Sequence, residues 1–346
     1  MTAPAARNGR GCFTSVQIRG ILRRMSTLAA SPPQHLTLLA SDHLRVEERL
    51  DLVPSVDRAR RGAVAIRVRP GLVRRAEAGP SGPLVFDAGR CPDGVRVEVW
   101  GCAATRLDAR ERALDDARAW LGWYDDVPDL VSLTAGHSAL QQAARSVGTV
   151  RLSRLPRVQE AVGRAVIEQL VQLVESRRSI AQLAAAIGQP ASRNLWCWPT
   201  AAMVARTPAY AMRRCGISLR NATALHASAL DDAQLERVRD DFAALDRRLR
   251  AIRGIGVWTS AQARLALGDP DAVSVGDHNL PSMVCHALAD TDPAECDDAL
   301  MLELLEPYRG QRGRVIQLIG RAVSRGHLPR ARRRAPRAAP SAHRYW

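Results

Sequence analysis

Apolar and polar residues alternate along the first third of the chain, between about residues 35 and 104. Successive side chains of a β-strand point to opposite faces, so a period of two predicts strands that bury one face. Gly- and Pro-rich turns separate the runs, which is typical of antiparallel hairpins. The alternating runs lie at 63–68, 84–86 and 95–99, and the turns lie at 79–83 and 92–94.

Helical spacing replaces this alternation from about residue 108 onward. Apolar residues then recur three and four positions apart, as they do on the buried face of a helix. A first helix at 108–121 accompanies the strands. Further helices are predicted at 158–166, 180–187, 200–214, 221–229, 232–250, 258–267, 280–288, 297–305 and 310–323. We therefore predict an α+β fold, with a small antiparallel sheet domain (33–125) followed by an all-helical, two-lobed domain (126–324).

Positive charge is concentrated at the two ends of the chain. Of the formal net charge of +15, residues 1–32 contribute five arginines and no acid, and residues 325–346 contribute seven arginines and no acid. The body between them therefore nets only +3 (15 − 5 − 7). Both ends lack apolar periodicity, which predicts disordered basic tails. Neither a secretory signal nor a membrane-spanning apolar run is present, so we expect a cytoplasmic protein that associates with the nucleoid. We also expect a monomer.

Two features of the composition limit the chemistry. The chain contains no lysine, so all 50 basic residues are arginine and no side-chain amine can form a Schiff base. The seven cysteines form no Cys-x-x-Cys pair and no iron–sulfur spacing, and their number is odd. We expect buried, reduced thiols, no metal site and no cofactor.

A helix, a tight Gly-x-Gly turn and a second helix are predicted across residues 249–261. Gly254 and Gly256 allow the backbone to approach a phosphate, and the first N–H groups of the second helix face such an anion. A hairpin of this kind binds the nucleic-acid backbone, not the bases. The alternative from the residues alone is a C-terminal glycine followed by an unrelated helix, which is common in helical proteins.

Asp277 lies 21 residues beyond Gly256, after a helix, a Gly-Asp-Pro turn at 268–270 and the short apolar run 272–276. This path can return an acidic side chain to the hairpin. Three other short motifs accompany these two. They are Ile-Glu-Gln-Leu-Val at 167–171, Cys-Trp-Pro-Thr at 197–200 with Gly-Ile-Ser at 216–218, and Glu-Pro-Tyr-Arg at 306–309 with Gly313 and Arg314.

Together these motifs resemble the helix-hairpin-helix (HhH-GPD) DNA glycosylase superfamily, best its 3-methyladenine DNA glycosylase II branch, over roughly residues 126–324. The resemblance implies that Asp277 is the catalytic carboxylate and that Leu170 enters the duplex when a nucleotide is flipped out. It implies a base pocket lined by Trp258, Tyr308 and Gln262. Implied DNA contacts are Gly254, Ile255, Gly256, Thr259, Gln169, Leu170, Arg309 and Arg314. From the residues alone, Leu170 has the spacing of a core residue, Tyr308 is as readily a core aromatic residue as a pocket residue, and arginines on an exposed helix face are usually solvated.

The implied reaction is base excision from double-stranded DNA that carries alkylated purines. Cleavage of the glycosidic bond builds positive charge on the sugar, which one carboxylate can stabilise while it orients water. An N3- or N7-alkylated purine is already cationic and leaves without a second carboxyl group. Strand-cutting relatives have a lysine two residues after the second hairpin glycine, where this chain has Trp258, so the resemblance implies a monofunctional enzyme.

The sequence also departs from the pattern of this family. Gln262 stands where an aromatic residue is usual, and Gly276, His278 and Asn279 replace the usual neighbours of the catalytic carboxylate. These differences concern the choice of damaged base more than the chemistry. They leave open a second interpretation, in which the protein binds damaged DNA through the hairpin without catalysis.

Overall fold

The computed structural model describes residues 36–45, 66–69, 71–192, 194–292 and 295–331. The predicted N-terminal tail, residues 63–65 of the first predicted strand and most of the predicted C-terminal tail lie outside this part of the chain. Among the helices described, none is long and apolar enough to cross a membrane.

The N-terminal region forms an antiparallel five-stranded sheet with the strand order β1-β5-β4-β3-β2. Its strands are β1 (Thr37–Arg45), β2 (Ile66–Arg69), β3 (Leu72–Gly79), β4 (Gly82–Cys91) and β5 (Gly94–Gly101). Both predicted turns join neighbouring strands, β3 to β4 and β4 to β5. The alternating pattern did not reveal β3, because Arg75 and Glu77 on this strand are charged and yet buried.

The remainder of the described chain is mostly helical. The helices are α1 (Leu107–Trp120), α2 (Leu130–Leu133), α3 (Ser138–Val147), α4 (Val158–Glu168), α5 (Leu173–Ile187), α6 (Ala201–Arg206), α7 (Ala209–Arg213), α8 (Leu219–Leu230), α9 (Asp232–Arg237), α10 (Phe242–Ala251), α11 (Val257–Ala266), α12 (Leu280–Ala289), α13 (Asp298–Leu305) and α14 (Arg312–Arg325). The prediction of an α+β fold with a helical second region is therefore confirmed.

Several predicted helix boundaries are wrong for local reasons. The helix expected at 200–214 is two helices, because Pro208 adopts an extended conformation at the start of α7. The helix expected at 232–250 is also two, and the Asp241 side chain accepts a hydrogen bond from the Ala244 N–H to begin α10. The short helices α2 and α3 were not predicted.

A two-stranded hairpin interrupts the region that was predicted to be all helical. Strands β6 (Pro190–Ser192) and β7 (Leu195–Trp196) pair with each other and pack against the main sheet, where the Cys197 thiol donates to the Glu77 carbonyl oxygen at 3.1 Å. The hairpin therefore belongs to the interface between the sheet and the helices.

The helices form two lobes, each with its own apolar core. The first lobe, α4–α11, shares one continuous core with the sheet and α1, and Trp120 lies fully buried in it. The second lobe combines α2 and α3 with α12–α14. The chain thus passes through the second lobe, builds the first and returns, and the return segment carries Asp277.

A buried network of four charged residues joins the sheet to α4. Arg75 donates to Glu77 at 2.8 Å and also to Glu160 of α4, and Glu160 pairs in turn with Arg164. Burial raises the pKa of Glu77, although the charge of Arg75 acts in the opposite direction. Each acid faces a guanidinium, as buried charges require.

Candidate active site

The predicted hairpin consists of α10, a tight turn and α11. The Ile255 N–H donates to the Ile252 carbonyl oxygen at 3.0 Å, and the Ile255 side chain is buried in the core of the first lobe. Gly254 has a φ of +95°, and a Cβ at this position would lie 3.1 Å from the Cβ of Ala224. The fold itself therefore requires glycine at 254.

Gly256 differs from Gly254, because the fold does not require glycine there. It begins α11 with φ −101° and ψ −174°, which any residue adopts, and a Cβ would meet nothing within 4 Å. No side chain of the described residues caps α11. The first N–H groups of this helix therefore have no side-chain cap and lie next to an open glycine, which suits a phosphate.

Gln169 connects the end of α4 to this hairpin. Its side-chain amide donates to the Gly254 carbonyl oxygen at 3.0 Å and to the Thr259 hydroxyl at 2.6 Å. Thr259 is buried, so its hydroxyl holds the Gln169 side chain in place and does not face solvent. Asn221 of α8 holds the same end of α4 by donating to the Val166 carbonyl oxygen at 2.9 Å.

Leu170 projects from the loop between α4 and α5. Its side chain is 86% exposed, the highest fraction among the large apolar residues described, and its φ is +53°. A leucine rarely adopts this left-handed backbone and rarely exposes its whole side chain. The interpretation of Leu170 as a core residue is therefore wrong, and the side chain is exposed next to the hairpin.

Asp277 lies against the first turn of α11. Its Oδ2 accepts a hydrogen bond from the Trp258 indole N–H at 2.9 Å, and its Oδ1 accepts from the backbone N–H groups of Asn279 at 2.8 Å and Leu280 at 3.0 Å. The carboxylate is thus held between the beginnings of α11 and α12, where both helix dipoles favour negative charge.

Two other acids in the same loop have different surroundings. Asp269 is buried and pairs with Arg264. Asp271 accepts from the Arg312 guanidinium at 2.8 Å and from the Gly310 N–H at 2.8 Å. Burial tends to raise the pKa of Asp271, but the hydrogen bonds from Arg312 and Gly310 hold it below its ordinary value. Both carboxylates are therefore bound by arginines and hold the loop in place.

The two remaining residues of the predicted base pocket have structural partners. Gln262 lies one turn after Trp258 and donates to the Ser274 hydroxyl at 2.9 Å, so it supports the loop that leads to Asp277. Tyr308 is buried in the core of the second lobe, and burial raises the pKa of its phenol. The prediction that Tyr308 lines a base pocket is replaced by the alternative of a core aromatic residue.

The two arginines predicted to contact DNA are also placed differently. Arg314 is 1% exposed, donates to both carboxylate oxygens of Asp125 at 2.6 and 2.8 Å, and donates to the Val150 carbonyl oxygen at 2.7 Å. These bonds join the second lobe internally, so the prediction that Arg314 contacts DNA is wrong. Arg309 is exposed and pairs with Glu306 at 2.7 and 2.8 Å.

Two features near Asp277 were not predicted. The Asp271–Arg312 pair fastens the loop before Asp277 to the start of α14, and neither residue carries a motif that indicates this. Both ring nitrogens of His278 are buried without a hydrogen-bond partner among the described residues. An imidazole next to Asp277 is therefore left with unused hydrogen-bonding capacity.

Comparison with known proteins finds similarity in structure only. No protein-family model and no curated protein sequence matches this chain. A 3-methyladenine DNA glycosylase from Archaeoglobus fulgidus superposes with a TM-score of 0.70 at 17% identity, covering 83% of this chain and 98% of that one. An 8-oxoguanine glycosylase/lyase from Clostridium acetobutylicum, solved with double-stranded DNA, gives 0.56 at 11% identity over 77% of this chain and 99% of its own.

Proposed function

Because the chain has the fold of the helix-hairpin-helix DNA glycosylases, we propose that it is a DNA glycosylase that excises alkylated purines of the 3-methyladenine type. The observation that carries this proposal is the position of Asp277. It is the acid in its loop that faces the hairpin, whereas Asp269 and Asp271 are engaged by arginines.

The carboxylate of Asp277 supplies the chemistry. In the excision step the glycosidic bond breaks and its electron pair leaves with the cationic base, which becomes neutral. A water oxygen bonds to C1′ of the sugar, and this water releases one proton to the solvent. Asp277 stabilises the developing sugar cation and orients this water. Trp258 fixes the carboxylate through its indole N–H, and its ring is the candidate wall for a cationic base, a contact worth roughly 1–2 kcal/mol in a desolvated pocket.

DNA is held by the hairpin and by the α4–α5 loop. The free N–H groups at the start of α11, beside the open Gly256, bind a phosphate of the damaged strand. Gln169 joins this hairpin to Leu170, so phosphate binding and insertion of the leucine occur as one rigid unit. Leu170 fills the gap that a flipped nucleotide leaves in the stack.

The enzyme is monofunctional in this proposal. Strand cleavage by relatives with lyase activity requires an amine that forms an imine with the sugar, and no lysine exists in the chain. Borohydride reduction of a reaction on abasic DNA is therefore expected to trap no covalent complex once the N-terminal amine is blocked. A trapped species under these conditions would contradict the monofunctional proposal.

The test is release of free base from defined duplexes under single-turnover conditions. A methylated duplex is expected to yield free 3-methyladenine, and a duplex with 8-oxoguanine opposite cytosine is expected to yield no free base. Release of 8-oxoguanine alone would retain the glycosylase proposal and overturn the substrate class. No base release from either duplex, with damaged DNA still bound, would favour the non-catalytic alternative.

One structural observation supports the non-catalytic alternative. The Oδ1 atom of Asp277 accepts the Asn279 and Leu280 N–H groups, which is how an acid caps a helix. If capping is its whole role, Asp277 stabilises α12 and does no chemistry. Asp277→Asn separates the two roles, because asparagine caps a helix about as well as aspartate but carries no charge.

A further inference from the structure

Three side chains with metal-binding atoms converge at the edge of the sheet, within a region to which the proposed excision reaction assigns no role. His43 extends from β1, Cys91 is the last residue of β4, and Asp93 lies in the turn between β4 and β5. The His43 Nε2 atom lies 3.2 Å from the Cys91 Sγ and 3.0 Å from the Asp93 Oδ1. The three donor atoms all lie within 4.8 Å of one another.

The backbone fixes the relative positions of these residues. Gly94 follows Asp93 in the turn, and a Cβ at Gly94 would lie 2.1 Å from the Leu44 carbonyl oxygen, so the turn packs directly against β1. Residues 94–101 of β5 pair with β1 and residues 85–91 of β4 pair with β5, which places His43 and Cys91 on the same face. Two of the donors come from positions i and i+2 of one tight turn, which is a chelating arrangement.

A hydrogen bond from the imidazole serves only part of this cluster. A protonated Nε2 has one N–H, which can donate to the Asp93 Oδ1 at 3.0 Å or to the Cys91 Sγ at 3.2 Å. An unprotonated Nε2 accepts from the thiol, but its lone pair then faces the Asp93 carboxylate at 3.0 Å. A cation at the centre makes all three contacts attractive. A thiolate, a carboxylate and a neutral imidazole also balance the two positive charges of a divalent ion.

We propose that His43, Cys91 and Asp93 form a binding site for a divalent transition-metal ion, and that this ion is Zn²⁺. Sulfur, nitrogen and carboxylate oxygen are the ligands that zinc takes in a tetrahedral site with a fourth position for water. The fourth position is open, because the side chains of His43 and Asp93 are 40% and 61% exposed.

The consequence of this site is structural. β1 is the edge strand of the sheet and pairs only with β5 within the described residues. An ion bound by His43 and by the β4–β5 turn fastens this strand across its neighbour. The cysteine spacing gave no signal of this, because the histidine lies 48 residues from the cysteine in sequence.

Cobalt(II) substitution provides the direct test, since a thiolate bound to Co²⁺ gives a charge-transfer band that imidazole and carboxylate ligands do not give. The full chain without an affinity tag is titrated with Co²⁺ after removal of bound metal. We expect one equivalent to produce the band and Zn²⁺ to abolish it by displacement. The Cys91→Ser variant is expected to lose the band, while Cys102→Ser, which removes another partly exposed thiol of the same region, retains it.

Two further variants keep the proposal testable if Cys91→Ser folds poorly. His43→Gln and Asp93→Asn retain the thiol, and each is expected to weaken Co²⁺ binding by about tenfold or more. Zn²⁺ is expected to raise the melting temperature of the wild-type chain and of Cys102→Ser but not of His43→Gln. A band that persists in Cys91→Ser, or full affinity in both His43→Gln and Asp93→Asn, would overturn the site. Base excision is not the readout, so these outcomes are independent of the proposed function.

Discussion

Among the described residues, Asp277 receives hydrogen bonds from one indole N–H and two backbone N–H groups. A carboxylate suits this environment, because both of its oxygens accept. An asparagine at the same place has to direct its NH₂ group toward another donor. Residue 277 therefore favours a carboxylate over an amide, because all three of these groups donate to it.

The first prediction is that Asp277→Asn lowers the single-turnover rate of base release by about 10²–10³, the usual effect of removing one electrostatic stabiliser of a transition state. Binding of damaged duplex is expected to remain. Base release from methylated duplex and binding by fluorescence anisotropy give the two readings.

The control is Trp258→Phe, which removes the indole N–H that donates to Asp277 but keeps the negative charge of Asp277. We expect it to lose less activity than Asp277→Asn. Equal and small losses in both variants would leave Asp277 as a helix cap alone.

The second prediction concerns Gly256, whose backbone conformation and open surroundings accept a side chain in the free protein. Gly256→Val is expected to leave the melting temperature unchanged and to weaken binding to damaged and undamaged duplexes alike. The expected loss is about tenfold or more, since it removes hydrogen bonds to a charged phosphate. Gly136→Val, at another open glycine, is the control and should bind DNA normally. A loss confined to damaged DNA would contradict a phosphate-binding hairpin.

At the scale of elements, the α4–α5 loop and the hairpin form a single unit. Gln169 bonds to both the turn and α11, and Asn221 fixes the last turn of α4. Leu170 is thereby held exposed with a left-handed backbone, which costs roughly 1–3 kcal/mol that the surrounding bonds offset. Exposed strain of this kind is typical of residues that contact a ligand.

The third prediction is that Leu170→Ala slows excision from duplex DNA by about tenfold or more and affects single-stranded substrate little, because only a duplex leaves a gap after base flipping. The ratio of single-turnover rates on the two substrates measures this. Val174→Ala removes another exposed apolar side chain from α5 and should change the ratio less. Equal slowing on both substrates would assign Leu170 another role.

The Asp271–Arg312 pair fastens the loop of Asp277 to α14, and its effect should depend on pH. The pKa of Asp271 is lowered in the folded protein from its ordinary value of 3.8. A lowered pKa means that the stabilisation is present above that ordinary value and is lost as the pH falls through the folded pKa.

The fourth prediction is that Asp271→Asn melts at a lower temperature than the wild type near neutral pH, and that the difference disappears as the pH falls below 3.8. Thermal melts of both proteins across this range give the comparison. A difference that is constant with pH would mean that the pair contributes through packing and not through charge.

At the scale of the whole molecule, the sheet and the first lobe are one structural unit. They share an apolar core, and Glu160 of α4 joins the sheet through Arg75. The sheet therefore supports α4, the helix that ends at Glu168 and is followed by Gln169 and Leu170.

The fifth prediction is that Glu160→Gln destabilises the protein by about 3–5 kcal/mol, because it leaves the buried guanidinium groups of Arg75 and Arg164 without their shared charge. Denaturant unfolding measures the change. Asp108→Asn, which breaks an exposed ion pair with Arg112, is the control and should have no measurable effect. A small loss in Glu160→Gln would mean that packing alone couples the sheet to the helices.

The sequence by itself determined the features that depend on local spacing. Period-two and helical patterns identified the region of strands and most helices, and the glycines of the hairpin and the absence of lysine could be read directly. These features depend on residues close together in the chain, where turn geometry and helix periodicity operate.

Only the tertiary structure decided which charged and exposed residues have partners. Arg314 resembles a DNA contact in sequence, yet its partner Asp125 lies 189 residues away and buries it. Leu170 has the spacing of a core residue, yet the left-handed turn after α4 directs it outward. The role of a guanidinium or an apolar side chain depends on the residues that pack around it. For Arg314 and Leu170 these residues come from distant segments of the chain. Sequence spacing therefore indicates the hairpin and the acid, while long-range packing decides which acid faces it.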